Sequence, residues 1–188
     1  MVRWSRAELE SFRDESVDDL LGPGLLLLFV GINPGLWTAA TNTHFCHPSN
    51  RFYPALRAAG IIEWVVDPDT GMTSEQRSDL IERGIGITNL VNRATVRASE
   101  LGRAELEEGR CHIEEVVDSH RPHVVAVAGV TAYRAAFAAR AAGLGKQPEP
   151  IGSAELWVVP NPSGLNAHET VSTLAESYRR VAERAGVV

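Results

Sequence analysis

Two asparagine–proline turns hold the polar groups of this chain that are best placed to do chemistry. Gly31–Gly35 follows the apolar run Leu25–Val30, and Asn161–Asn166 follows the apolar run Leu156–Val159. Each apolar run is typical of a buried strand that ends abruptly in a rigid, polar loop. Because ligands bind at the carboxyl ends of the strands in parallel α/β sheets, we expect these two loops to form one site.

The first loop could hold a small polar ligand rather than a phosphate group. Its glycines lack the Gly-x-Gly-x-x-Gly spacing, and no Gly-Lys-Ser or Gly-Lys-Thr sequence follows. The Asn33 amide lies between a strand end and a proline, so it can hold a partner as small as one water molecule. Asn33 could instead satisfy its own turn, as asparagine often does, but the second loop favours a binding role.

The chain offers little for a metal or a cofactor. Cys46 and Cys111 cannot supply the thiolates of an iron–sulfur cluster or an all-cysteine zinc site. Cys46 lies near His44 and His47, which could indicate a metal site or a Cys-His nucleophile. Since no second cluster of ligands occurs elsewhere, we interpret these three as loop residues and expect neither metal nor cofactor.

Length and composition indicate one soluble globular domain. The chain has 188 residues, of which 44% are hydrophobic and 22% charged. We expect a single domain over residues 1–188, with a short charged lead-in over about residues 1–22. The longest apolar stretch, Leu25–Ile32, is too short to span a membrane, and no secretory signal opens the chain, so a cytoplasmic protein is expected.

The net charge of −6 argues against a protein that coats DNA through bulk electrostatics, yet it allows a DNA enzyme with a local basic rim.

Alternating strands and helices predict the fold class. Four segments are predicted strands: Leu25–Val30, Ile85–Val91, Val124–Ala128 and Glu155–Val159. Five segments are predicted helices: Pro48–Ala59, Ser74–Arg83, Ala104–Ser119, Thr131–Ala142 and His168–Arg184. Ser5–Leu20 is predicted to be partly helical and Gly143–Pro150 to be a loop, while Thr73 and Gln76 have capping-box spacing. The alternation implies right-handed crossovers, so we predict an α/β fold: a three-layer α/β/α sandwich with a central, mostly parallel sheet of four or five strands.

Four sequence blocks resemble one enzyme family, in the family's order and spacing. The blocks are Gly31–Leu36, His44–Phe52, Gly86–Arg93 and Asn161–Asn166. They resemble, in that order, the water-activating, pyrimidine-binding, pocket-lining and DNA-intercalating motifs of the mismatch-specific uracil/thymine DNA glycosylases. This is the Mug/TDG branch of the uracil-DNA glycosylase superfamily, and the similarity runs from about residue 23 to residue 180.

The resemblance implies a monofunctional DNA glycosylase of base excision repair. Such an enzyme flips uracil, preferably opposite guanine, out of duplex DNA and hydrolyses its N-glycosidic bond, which leaves an abasic site. Its partner would be double-stranded DNA containing a G·U mismatch, and we expect a monomer. No lysine lies in the pocket motifs, which argues against a Schiff-base lyase.

The resemblance also assigns roles to single residues. Asn33 would position the attacking water, Phe45 would stack on the flipped base, and Leu165 would fill the gap in the duplex. The other residues of the predicted site are base-binding Ile32, Thr38, His44 and Asn89; Gly164 and Asn166 against the opposite guanine; and, in support of the motifs, Gly31, Pro34, Gly35, Asn161, Pro162 and Ser163. For Asn166 we expect the backbone to face the guanine and the side chain to cap the last helix, since Asn166 and Glu169 have capping-box spacing.

Departures from related families modify this interpretation. Faster uracil glycosylases carry an aspartate in the water loop and a histidine at the start of the second loop, where this chain has Asn33 and Asn161. We therefore expect slow chemistry that depends on backbone donors at Ile32 and Phe45. Asn89 stands where the bacterial branch usually has a lysine and the TDG branch has an asparagine that contacts the base, so we expect Asn89 to face the pyrimidine as in the TDG branch. Ala167 stands where the bacterial branch has an arginine after the intercalating leucine, so we expect the loss of one DNA contact and altered discrimination of the opposite base.

Two alternatives remain open from the sequence. The main substrate could be a bulkier base, such as an etheno-cytosine or a deaminated purine, because the volume of the pocket cannot be read from the sequence. The chain could also be a catalytically idle α/β module that binds nucleic acid or nucleotides.

Overall fold

A five-stranded sheet forms the centre of the computed structural model, which describes residues 4–188. The strands are β1 (Leu27–Gly31), β2 (Ile85–Asn89), β3 (Val124–Ala128), β4 (Gly145–Lys146) and β5 (Glu155–Val159). Their order across the sheet is β2-β1-β3-β5-β4. Strands β2, β1, β3 and β5 are mutually parallel, and the short edge strand β4 is antiparallel to β5. The predicted fold class is confirmed; the first three residues of the predicted lead-in lie outside the described residues.

Helices cover both faces of the sheet. They are α1 (Arg6–Glu10), α2 (Leu36–Thr41), α3 (Phe52–Ala58), α4 (Ser74–Glu82), α5 (Arg103–His120), α6 (Val130–Ala136) and α7 (Val171–Ala185), with a 3₁₀ turn at Ala98–Glu100. Helices α3, α4 and α7 pack on the face that presents Phe29 and Ile87, and α5 and α6 pack on the face that presents Val30 and Val127. Alternate residues of each strand point to opposite faces, so strands buried on both faces are apolar throughout.

Helix α3 begins four residues later than predicted. Pro48 lies in a loop, and the helix starts at Phe52. The residues before it form tight turns instead, because the backbone N–H of Asn50 donates to the His47 carbonyl and the Asn50 side-chain oxygen accepts the backbone N–H of Phe52 at 2.9 Å. Side-chain bonds of this kind satisfy the first backbone donors of a helix and so define where it starts.

Two further segments differ from the prediction. Helix α6 ends at Ala136 instead of Ala142, since Ala138 has a φ of 53° in the left-handed region and cannot continue the helix. Within the predicted loop Gly143–Pro150, residues of β4 pair with Trp157 and Val158 and extend the sheet. The predicted Thr73–Gln76 capping box is present at the start of α4.

The last helix uses a different cap from the one predicted. Helix α7 begins at Val171, with Thr170 and Thr173 forming the capping box. The Asn166 side chain does not cap it: its Nδ2 donates to the Asn161 carbonyl at 3.0 Å, and its Oδ1 accepts the His168 N–H at 3.2 Å. Asn166 therefore closes its own loop, and the prediction for its side chain is wrong.

No helix among residues 4–188 is both long enough and apolar enough to cross a membrane.

Candidate functional site

The carboxyl ends of the parallel strands bring the predicted blocks together. Gly31 at the end of β1 pairs in register with Asn89 at the end of β2. On the other side of β1, strands β3 and β5 end at the same edge and lead into Gly129 and Asn161. Both asparagine–proline loops therefore start from one edge of the sheet, as the sequence predicts.

The Asn33 amide is held in one orientation. Its Nδ2 donates to the carbonyl oxygens of Pro34 at 3.1 Å and Arg93 at 2.9 Å, and to Thr95 Oγ1 at 2.7 Å. Carbonyl oxygens only accept hydrogen bonds, so the nitrogen of the amide must face them and Oδ1 must face the other way. Two of the three partners lie about sixty residues along the chain, so Asn33 does more than satisfy its own turn.

The partners of Asn33 are themselves anchored. The buried Thr95 hydroxyl donates to the Arg97 carbonyl at 3.0 Å, which leaves it as an acceptor for Asn33. The Arg93 side chain pairs with Glu105 at 2.9 Å and with Asp14 at 2.7 Å. Hydrogen bonds from Arg93 lower the pKa of Glu105, which keeps this pair charged at neutral pH. The role of Thr95 could not be predicted from the sequence, because no local pattern marks a long-range acceptor.

Asn89 is oriented by a buried histidine. His44 is 2% exposed, and its Nε2 lies 3.0 Å from the Asp18 carbonyl oxygen, to which it must donate. Burial lowers the pKa of His44, so the ring is neutral near pH 7 and its Nδ1 is an acceptor. Asn89 Nδ2 donates to this Nδ1 at 3.1 Å, which turns Oδ1 towards Gly31.

Gly31 leaves space that two neighbouring side chains use. A Cβ at this position would lie 2.3 Å from Asn89 Oδ1 and 3.3 Å from Cζ of Phe45. Phe45 is half-buried, with a φ of 56°, and its ring stacks on Phe52 at 4.1 Å between centroids. The aromatic ring, the amide oxygen and the glycine backbone thus border one corner at the end of β1.

Two backbone donors accompany this corner. The N–H groups of Ile32 and Phe45 donate no hydrogen bond to any residue within 4–188. Ile32 is half-buried, and Thr38, one turn into α2, is 5% exposed. Neither N–H group therefore has an acceptor within the described residues, which leaves both without the hydrogen bond that backbone donors normally form.

The loop between β5 and α7, residues 160–170, carries the most exposed large hydrophobic residue of those described, Leu165 at 92%. Short local turns hold its backbone: Ser163 N–H donates to Asn161 Oδ1 at 2.9 Å, and Asn166 N–H donates to the Ser163 carbonyl at 2.9 Å. Single exposed hydrophobic residues are common on protein surfaces, so this exposure shows only that the Leu165 side chain is free to contact another molecule.

Arg51 connects this loop to the block that contains Phe45. Its guanidinium donates to the backbone carbonyls of Ser163, Asn166 and Glu169. The role of Arg51 was not predicted from the sequence either. Its position beside Phe52 gives no indication that its partners lie more than a hundred residues away.

Two open cavities flank the loops along the strand ends. One, of about 740 Å³, is lined by Ile32, Arg97, Asn161 and Leu165 among others. The other, of about 1030 Å³, lies beside α1 and includes Trp37. Both border Arg97, whose guanidinium forms no ion pair with the described residues. Together they form a wide, open surface rather than an enclosed chamber.

The cysteine–histidine cluster has no catalytic geometry. Burial raises the pKa of the Cys46 thiol, which keeps it protonated and a poor nucleophile. His47 Nδ1 is occupied by the N–H and hydroxyl of Ser49. Within residues 4–188 no group of three or more potential metal ligands clusters.

Comparison with known proteins gives two findings. The family model described as the uracil DNA glycosylase superfamily matches residues 19–183. A solution NMR structure of a candidate uracil DNA glycosylase from Methanosarcina acetivorans superposes with a TM-score of 0.58. The superposition covers 93% of this chain and 98% of that chain at 16% sequence identity, so it supports the fold alone.

Proposed function

The chain belongs to the uracil DNA glycosylase superfamily, and from this premise we propose that it excises uracil from DNA, preferably opposite guanine. It would act as a monofunctional glycosylase of the Mug/TDG branch, with duplex DNA containing a G·U mismatch as its partner. Membership of the superfamily makes it a DNA glycosylase of DNA repair; the choice of base, the opposite guanine and the residue roles are the proposal.

One observation carries the proposal: the Asn33 amide nitrogen is fixed by three acceptors at the end of β1. Its oxygen is thereby left to accept a hydrogen bond from a water molecule. An amide is not basic near pH 7, so Asn33 can orient the water but cannot take its proton. Orientation of a bound nucleophile alone accounts for a large part of many enzymatic rate enhancements.

The base would be recognised at the corner beside Gly31. A flipped uracil would stack on Phe45, and Asn89 Oδ1 would accept the proton on N3 of the base. Cytosine has no proton on N3, so the same oxygen would repel it. This reading depends on the neutral His44 ring, which keeps the Asn89 amide in that orientation.

The chemical step would rely on departure of the base. The bond from C1′ of the sugar to N1 of uracil breaks, and its electron pair leaves with the base as an anion. The oriented water then forms the new bond to C1′ and releases a proton to solvent. The free N–H groups of Ile32 and Phe45 would stabilise the charge that develops on the oxygens of uracil. With neither a carboxylate nor an imidazole at the Asn33 and Asn161 positions, slow turnover is expected.

The decisive assay uses a duplex with one uracil opposite guanine and a strand labelled at one end. Wild-type protein should create a site that breaks only after alkali treatment, because a monofunctional enzyme leaves the strand intact. The same duplex with cytosine in place of uracil serves as the control. Binding without any alkali-labile site would instead identify a catalytically idle binding module. A faster reaction on a duplex with etheno-cytosine would shift the proposal to bulkier bases.

A further inference from the structure

Arg51 forms an unusual set of contacts with the β5–α7 loop. Its backbone N–H donates to the Pro162 carbonyl at 3.0 Å, and its guanidinium donates to the carbonyls of Ser163, Asn166 and Glu169. Ser163 and Asn166 lie on either side of Leu165, and Glu169 immediately precedes the cap of α7. One planar guanidinium thus hydrogen-bonds to the loop backbone on both sides of the exposed leucine.

The loop has few other connections to the rest of the protein. Its remaining hydrogen bonds are mostly local, such as the bond from Leu165 N–H to Ser163 Oγ at 3.3 Å and that from Asn166 Nδ2 to the Asn161 carbonyl. Leu165 itself is 92% exposed, so side-chain packing cannot hold it in place. The direction of this side chain therefore depends on how the backbone beneath it is fixed.

A close backbone contact lies beside the Arg51 hydrogen bonds. A Cβ at Gly164 would lie 2.5 Å from Ser49 Cβ and 2.7 Å from the Ser49 carbonyl oxygen. Only glycine allows the two segments to approach this closely. The loop is thus seated against residues 49–51 as well as hydrogen-bonded to them.

The same segment supports the ring assigned to base stacking. Arg51 directly precedes Phe52, whose ring stacks on Phe45 at 4.1 Å. The buried Phe52 is part of the core and cannot shift without disturbing its neighbours. Arg51 therefore ties the loop that carries Leu165 to the rigid base of the corner that carries Phe45.

We propose that Arg51 is a positioning residue that holds Leu165 at a fixed distance from Phe45. The Leu165 side chain then enters the duplex as the flipped base reaches Phe45. This inference rests on the proposed function. Leu165 would be needed only when the target base must be taken out of a duplex, because a single strand has no gap to fill. Loss of the hydrogen bonds from Arg51 to the β5–α7 loop, called here the Arg51 clamp, should therefore slow the reaction on duplex substrates selectively.

The test compares Arg51→Lys with Arg57→Lys. Lysine keeps the charge but loses the planar guanidinium, whereas Arg57 lies exposed on the last turn of α3 and its side chain forms no hydrogen bond with the described residues. Arg51→Lys should lower the single-turnover rate on a G·U duplex by about ten- to a hundred-fold, while the rate on the same uracil strand without its complement stays within about two-fold. Arg57→Lys should match wild type on both substrates.

Combination with Leu165→Ala distinguishes positioning from other roles. If Arg51 acts through the leucine, the double variant Arg51→Lys with Leu165→Ala should be no slower on duplex than Leu165→Ala alone, to within about two-fold. Additive losses would overturn the proposal and would indicate that Arg51 contacts the DNA itself. Equal losses on duplex and single strand would overturn it in favour of a general structural role.

Hydrogen exchange supplies a readout that does not depend on activity. The amides of Leu165 and Asn166 should exchange faster in Arg51→Lys than in wild type or Arg57→Lys, and unchanged exchange would contradict the clamp. Should Arg51→Lys fail to fold, Gly164→Ala tests the neighbouring contact with Ser49. Faster exchange of the Leu165 and Asn166 amides is then the readout, because Gly164 is itself expected to contact the opposite guanine. Wild-type protein inactive on both substrates would contradict the proposed function instead, so the two failures are distinguishable.

Discussion

At the scale of single residues, amide groups with fixed orientation dominate this site. Asn33 and Asn89 each use Nδ2 to bind a protein acceptor, which leaves Oδ1 for a ligand. In Asn33 two carbonyl oxygens set the orientation, and in Asn89 the neutral ring of His44 does so. An amide that must be ordered on binding loses part of its binding free energy, so this preorganisation favours tight binding of one pattern of donors and acceptors.

The neutrality of His44 makes an acid limit predictable. Because burial lowers the pKa of His44 in the folded protein, the unfolded chain takes up a proton first as the pH falls through about 6.5. The stability that neutral His44 contributes is therefore complete above that pH and is lost as the pH falls towards the lower pKa of the folded state. Urea unfolding of wild type and His44→Gln at pH 7 and pH 5 measures this, and wild type should lose more stability on acidification. An equal loss in both proteins would refute the assignment.

Thr38 is predicted to select uracil over thymine. In the alignment with the Mug/TDG family that the sequence resembles, its position is alanine in the thymine-processing branch and serine in the bacterial branch. In the structure Thr38 is 5% exposed in α2. A β-branched side chain beside carbon 5 of the base cannot easily withdraw its methyl group, and such a clash is worth about 1–3 kcal/mol, or roughly 10- to 200-fold in specificity. Thr38→Ala should therefore raise the single-turnover rate on G·T while leaving the G·U rate nearly unchanged. No gain on G·T would show that Thr38 does not face the base.

At the scale of elements, the sequence predicts best where burial or capping follows a local pattern. Strands β3 and β5 have the predicted bounds, since continuous apolar runs between turn signals define buried strands. The six-residue helix α2 was missed because its N-cap is Gly35 with no side-chain cap, so no local signal marks it. The predicted cap of α7 was wrong because two possible capping boxes, Asn166–Glu169 and Thr170–Thr173, start four residues apart. The Asn166 side chain bonds to the Asn161 carbonyl, and Thr170 caps the helix instead.

The residues of the site were likewise predicted where a local pattern marks them and missed where their role depends on distant segments. The asparagines, Phe45 and Leu165 were predicted from blocks of contiguous residues, and the structure brings them to one edge of the sheet. Thr95 and Arg51 were not predicted, because their roles depend on bonds between segments that lie far apart in the chain. A single sequence carries no record of such pairings, whereas the folded backbone makes them explicit.

The β5–α7 loop should matter for duplex DNA far more than for single strands. Leu165 lies in solvent on short turns, and a wedge compensates for unstacking only when the target base is paired. Leu165→Ala should lower the rate on a G·U duplex by on the order of ten-fold or more and leave the single-strand rate nearly unchanged. Val96→Ala, which trims another exposed hydrophobic residue of the same cavity, is the matched control. Equal losses on both substrates for Leu165→Ala would indicate a packing role.

At the scale of the whole molecule, an acidic chain must attract DNA through a few local cations. The net charge is −6, and many arginines are paired on the helices, as Arg110 is with Glu114 at 2.8 Å. Arg97 instead borders both cavities and has no ion pair within residues 4–188. Affinity should therefore depend weakly on salt overall, with Arg97 among the main contributors.

The salt dependence of binding checks this distribution of charge. Arg97→Gln should reduce the slope of log K against log salt concentration by about 0.9, the value for one lost phosphate contact on duplex DNA. Arg110→Gln removes an equal charge from α5 and should leave the slope unchanged to first order. Titration of an abasic duplex at several salt concentrations gives both slopes. Identical slopes for Arg97→Gln and wild type would place the phosphate contacts elsewhere.

The central claim is that the Asn33 amide orients the water that hydrolyses the glycosidic bond. Asn33→Ala removes that group from the end of β1 while the Thr95 N–H bond to the Pro34 carbonyl, at 3.1 Å, remains to hold the loop. The direct measurement is the single-turnover rate of wild type and Asn33→Ala on a duplex with one G·U pair, beside their affinities for abasic duplex. The rate should fall by on the order of a hundred-fold or more with affinity nearly unchanged. Orientation of the water should lower the activation free energy by several kcal/mol. An Asn33→Ala variant that keeps at least about half of the wild-type rate would therefore contradict the account.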